Sequence, residues 1–119
     1  MKIIKEIISK DCFDDTFIKE YTINQIVTTE WIEYLENFGK MTCLKSLKNP
    51  FYSFEKKHFF TIKGILNENK LKVIFNRNNM DYTVDFFNEL IENFNPTDIN
   101  IERVKQAEKN ILNKLNNNL

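Results

Sequence analysis

The stretch Phe59–Phe75, "FFTIKGILNENKLKVIF", decides how the chain is read. Phe60 and Ile62 alternate with Thr61 and Lys63, and Leu71, Val73 and Phe75 alternate with Lys72 and Ile74. A period of two residues is that of a β-strand with one buried face. The polar run "NENK" at 67–70 separates the two segments, so they pair as an antiparallel hairpin whose apolar rows share a side. The opposite side is mixed: Phe59, Ile65 and Ile74 stand there with Thr61, Lys63 and Lys72. A fully solvated face would be more polar, so a covering element or partner is expected over it.

The same alternation recurs upstream. "TFIKEYTI" (16–23) puts Phe17, Tyr21 and Ile23 on one side and Ile18, Glu20 and Thr22 on the other. "KIIKEIIS" (2–9) is β-branched and reads as a strand paired with it, although its isoleucines also fit one helical face. The aspartates of "DCFDD" (11–15) suit a turn between them. "KMTCLKSL" (40–47) is a further strand, stopped by Pro50.

Helical spacing takes over at Trp31, Leu35 and Phe38, with Thr28 or Thr29 as cap and Gly39 at the left-handed end position. Asp81 opens a second helix with Val84, Phe87, Leu90, Ile91 and Phe94 on one stripe, ended by Pro96. A third runs from about Thr97 to Leu115, its stripe of Ile101, Val104, Ile111, Leu112 and Leu115 interrupted by Glu108. The tail "NKLNNNL" is expected to fray. These elements predict an α+β fold with an antiparallel sheet of four to five strands and two to three helices, in the order ββ-α-ββ(β)-α-α. Residues 1–96 form the domain, and 97–119 a C-terminal helix packed on it or on a partner.

Composition narrows the function. The 119 residues are 42% hydrophobic and 29% charged, the balance of a globular chain. The 17 basic and 17 acidic side chains cancel, so only a local patch could hold nucleic acid. Such a patch exists in the sequence: residues 40–77 carry a net +7, between flanks of −4 and −3. Two distant cysteines fit cytosolic thiols rather than a disulfide scaffold, and no run is apolar enough for a membrane span. A cytoplasmic protein without a cofactor is expected.

Three binding readings follow. The first is a non-enzymatic protein-interaction module, self-associating or binding another protein, with Tyr52, Phe54, Phe59, Ile65 and Ile74 as contacts. It rests on the mixed hairpin face and on an aromatic loop at 51–54. The second is single-stranded nucleic-acid binding. Lys56, Lys57, Lys63, Lys72 and Arg77 would meet phosphates while the interleaved rings stack on bases. The third is a metal or thiol site from Cys12, Cys43 and His58, whose spacings of 31 and 15 match no zinc pattern. Enzymatic chemistry lacks support: no GxSxG, HExxH or phosphate-cradling glycine loop is present, and no nucleophile, base and orienting group can be named together.

Overall fold

The structure, a computed structural model, describes residues 1–8, 16–44, 50–78, 80–95 and 98–117. In chain order the elements are β1 (Ile3–Ile8), β2 (Thr16–Ile23), α1 (Thr29–Glu36), β3 (Lys40–Leu44), β4 (Phe51–Lys56), β5 (Phe60–Ile65), β6 (Lys70–Asn76), α2 (Met80–Glu92), β7 (Phe94–Asn95), β8 (Asp98–Ile99) and α3 (Ile101–Asn117). Six strands form one antiparallel sheet in the order β1-β2-β6-β5-β4-β3, and β7 and β8 form a two-stranded ribbon. The fold is α+β, as the alternation predicts, with more strands than the four to five expected. One addition is β4. The aromatic loop expected at 51–54 is a strand, because Tyr52 and Phe54 alternate with Phe51 and Ser53 and pair with β5 across Gly64 and Ile62.

All three helices serve one side of this sheet. Tyr21, Ile23, Tyr52, Phe54, Phe60, Ile62, Leu71, Val73 and Phe75 line that side and are buried. α2 lays Phe86 and Phe87 over them. Phe87 stacks on Tyr21 at 4.9 Å and meets Phe75 edge-on at 5.5 Å. α1 is fixed by two side-chain bonds: Trp31 Nε1 donates to Tyr52 Oη at 3.0 Å, and Tyr34 Oη donates to the Leu90 carbonyl at 2.7 Å. Burial holds the phenols of Tyr21, Tyr34 and Tyr52 well above the usual range. Glu6 adds to this at Tyr21 and Glu89 at Tyr34, while the Trp31 bond opposes it at Tyr52. α3 packs against α2 and buries Val104 and Ile111 in the same core. It therefore joins the helix layer and does not cover the far side of the β5–β6 ribbon.

Several local expectations are corrected. Gly39 does not adopt a left-handed conformation; α1 ends on Asn37 in a right-handed one. Gly39 is small because β4 passes close: an added Cβ would lie 2.5 Å from the Glu55 carbonyl oxygen. Thr28 holds the cap position of α1 in an extended conformation but makes no side-chain cap bond. Asp81 lies within the first turn of α2, where its charge still complements the helix dipole. α3 starts at Ile101, after residues 98–99 have paired with β7. Its cap is Asn100, whose Oδ1 accepts the Arg103 N–H at 3.1 Å. Leu112, placed on the apolar stripe by spacing, is 42% exposed.

The β5–β6 connection is also not a tight hairpin. Pairing stops at Lys63 and Lys72, and the strands then diverge. Residues 66–69 are latched elsewhere: Leu66 N–H donates to the Pro50 carbonyl, Asn67 N–H to Val27, and Val27 N–H to Glu68.

Gly64 closes the core from the sheet side. A Cβ there would meet the Tyr52 ring and hydroxyl at 2.8 Å. Because Tyr52 is held by Trp31, its ring has little freedom to retreat. Gly64→Ala is expected to destabilise the protein by about 1–3 kcal/mol through overpacking, read as a lower urea midpoint with an unchanged m-value. A midpoint equal to that of the unaltered protein would refute this packing.

Candidate functional site

The register of the strands determines what the uncovered side of the sheet presents. Ile18 pairs with Ile74, and Glu20 with Lys72. Ile74 pairs with Thr61, and Lys72 with Lys63. Ser53 follows opposite Lys63 and Phe51 opposite Ile65. These side chains all point away from the helices, since their neighbours along each strand line the core. The middle row of this side is Glu20, Lys72, Lys63 and Ser53; on one flank stands the half-buried Ile74 beside the buried Ile18, and on the other the half-buried pair Ile65 and Phe51. Lys5, Lys40, Lys63, Lys70 and Lys72 share the surface with Glu20 and Glu55.

Lys63 and Lys72 face each other directly across β5 and β6. Like charges in that position destabilise a sheet. Among the described residues neither lysine has a carboxylate within salt-bridge distance; the ion pairs there are Lys19–Glu6 and Lys56–Glu108. Where the strands part beyond this pair, a cavity of about 260 Å³ opens between Lys63, Gly64 and Ile65 on one strand and Lys70, Leu71 and Lys72 on the other, with Glu20 and Glu68 at its rim. The opposite pole of the molecule is acidic: α1 and α2 carry Glu30, Glu33, Glu36, Asp81, Asp85, Glu89 and Glu92 and no basic residue.

The expected protein contacts divide. Ile65 and Ile74 lie on the uncovered side and are partly exposed. Tyr52 and Phe54 are fully buried and Phe59 is 6% exposed, so their rings belong to the core. Tyr52 and Phe54 fall on the inner side of β4. Phe59 sits in the turn before β5, where His58 has φ 69°, and strand alternation does not apply to it. Its ring stacks on Phe86 at 5.7 Å.

The nucleic-acid set divides too. Lys63 and Lys72 are central to the uncovered side, while Lys57 and Arg77 are exposed near the end of the sheet formed by the β4–β5 turn. Lys56 is committed internally. Its Nζ donates to the Phe38 carbonyl at 2.6 Å, pairs with Glu108, and stands 5.5 Å from the centre of the Phe86 ring. Glu108, which breaks the apolar stripe of α3, is thus the residue that ties this helix to β4. The rings meant to stack on bases are the buried ones just named; Phe51 is the partly exposed aromatic on the uncovered side.

Cys43 and His58 are not brought together. Cys43 pairs with Tyr52, whereas His58 lies beyond Lys56 at the far end of β4. At ~3.3 Å per residue this leaves roughly 13 Å along the strand, too far for one metal ion. Cys12 lies outside the described residues. Among the described residues no group of three or more His, Cys, Asp or Glu could hold a metal, and no helix is long and apolar enough to cross a membrane.

No family model matches the chain, and no curated protein or solved structure matches it.

The residue that sequence reasoning gave too little weight is Lys70, which completes the basic rim. It reaches that rim because the β5–β6 connection splays beyond Lys63 and Lys72. Lys63→Glu would turn the like-charge contact with Lys72 into an attractive pair. It is expected to raise stability by about 0.2–1 kcal/mol, measured as a higher urea midpoint at low salt with the gain shrinking at high salt. A loss of stability would show that the two lysines are already neutralised.

Proposed function

We propose that the protein is a non-enzymatic, cytoplasmic binding module and that its contact surface is the uncovered side of the sheet around Lys63, Ile65, Lys72 and Ile74. The partner is a protein segment with an acidic centre and apolar flanks. The observation that carries this reading is the Lys63–Lys72 pair: it sets two ammonium groups against each other in the middle of the face that no described helix covers, with Glu20 across the strand from Lys72 but, among the described residues, no carboxylate within salt-bridge distance of either. A glutamate at position 63 would favour the fold, so Lys63 fits a surface selected for what it meets rather than for stability. Ile74 on one side of the lysine row, and Ile65 and Phe51 on the other, supply apolar flanks, and desolvation on binding strengthens each lysine–carboxylate contact.

Nucleic acid fits this surface less well. Single-strand binding relies on several stacking rings beside the phosphate contacts, and the aromatic run 51–60 places its rings in the core with the exception of Phe51.

Amide chemical-shift titration discriminates the two. An amphipathic peptide of alternating leucine and glutamate is expected to shift the amides of Lys63, Ile65, Lys72 and Ile74, with affinity falling as salt rises. K63E/K72E should abolish these shifts. Shifts confined to the helix side, or shifts on the sheet produced by oligouridine and not by the peptide, would overturn the proposal.

A further inference from the structure

β1 occupies one edge of the six-stranded sheet, with β2 on one flank and, among the described residues, no strand on the other. Its sequence, "IIKEII", is the reverse of what an edge normally carries. Ile4, Ile7 and Ile8 are 66%, 47% and 59% exposed. An exposed apolar edge strand is a template for a further strand, since its outward N–H and C=O groups have no ladder partner. We infer that β1 pairs antiparallel with β1 of a second copy, joining the two sheets into one continuous sheet.

The strand itself points to a second copy as the occupant. A two-fold axis normal to the sheet leaves every side chain on its own face. Residues facing each other must therefore have numbers with an even sum, because side chains alternate along a strand. Any residue can therefore lie on the axis, and within β1 the two central ones, Lys5 and Glu6, give the longest ladders. With Lys5 there, two ammonium groups meet and Ile4 faces Glu6. With Glu6 there, Ile4 of each copy faces Ile8 of the other, and Ile7 faces the aliphatic stem of Lys5. The two Glu6 carboxylates that then approach the axis are each already held by Lys19 of their own chain, Nζ to Oε1 at 2.6 Å. The second register thus buries Ile4 and Ile8 against each other, covers Ile7 with the Lys5 stem, and brings no unpaired charge to the axis. The register shift between Ile3 and Lys5 lies at the start of β1, and Lys5–Ile8 pair regularly with β2. Bulges commonly mark where pairing ends, so the regular ladder spans Lys5–Ile7 about the axis, and the Ile4–Ile8 contacts close its two ends. The axis keeps both helix layers on the same side, so the two basic faces also become continuous. The inference does not depend on what those faces bind.

Sedimentation equilibrium from about 1 μM to 1 mM is expected to show a monomer–dimer equilibrium. Ile8→Lys, a change at an exposed position, should weaken the dimer at least tenfold and leave the circular dichroism spectrum unchanged. K63E should leave the dimer intact, which separates this test from the one on the sheet face. As a second readout, an I4C/I8C variant in a C12S/C43S background should form intermolecular disulfides on mild oxidation. Within one chain the two positions are roughly 13 Å apart, beyond the ~7 Å limit for a bridge. A protein that stays monomeric to 1 mM, a dimer unaffected by Ile8→Lys, or an I4C/I8C variant that remains uncrosslinked would each overturn the pairing.

Discussion

Tyr52 is the residue on which the arrangement depends. Its ring presses on the bare backbone of Gly64 in the neighbouring strand, and its hydroxyl accepts the Trp31 indole N–H from the first helix. That contact sets which side of β4 faces inward. Because alternation is strict, it also sets the side for Phe54 and, through cross-strand pairing, for Ile62, Val73 and Tyr21. A slip by one residue would send the aromatic side chains into water and the lysines under the helices, which no other interaction in the molecule could offset.

The helix layer follows from that choice. Phe86, Phe87 and Leu90 of α2 complete the aromatic cluster, and Tyr34 ties α1 to α2 through the Leu90 carbonyl. Lys56 then draws together the end of α1, the ring of Phe86 and the Glu108 carboxylate of α3. An ion pair so far withdrawn from solvent is costly to break, since each partner would be left desolvated and alone. With three helices gathered on one side, the other is left to β-strand side chains, and its character is set by Lys63, Lys72, Ile65 and Ile74.

Strand and helix identities were legible where the periodicity was long and undisturbed. Thr16–Ile23 and the Phe60–Ile62 and Leu71–Phe75 rows read correctly because each alternates over several residues. What did not read was non-local. Phe51–Lys56 looked like a loop because proline precedes it and lysines follow, and nothing nearby in sequence shows that Gly64 would receive the Tyr52 ring. Position alone assigns Gly39 to a helix end, whereas its size is demanded by the passage of β4. Of the site, Ile65, Ile74, Lys63 and Lys72 followed from alternation alone. Phe59 and Lys56 did not: one turns inward through the His58 conformation, and the other is held by Glu108 from fifty-two residues away.

The central claim is that the sheet has one sealed side and one open side. Thiol-labelling rates test it most directly, with single cysteines placed at 61, 65 or 74 and at 62 or 73 in a chain lacking Cys12 and Cys43. The account predicts that positions 61, 65 and 74 react in the native protein without unfolding. Positions 62 and 73 should react only at the rate at which the protein opens. Equal protection of both sets would mean that the face carrying Lys63 and Lys72 is covered, and would contradict the account.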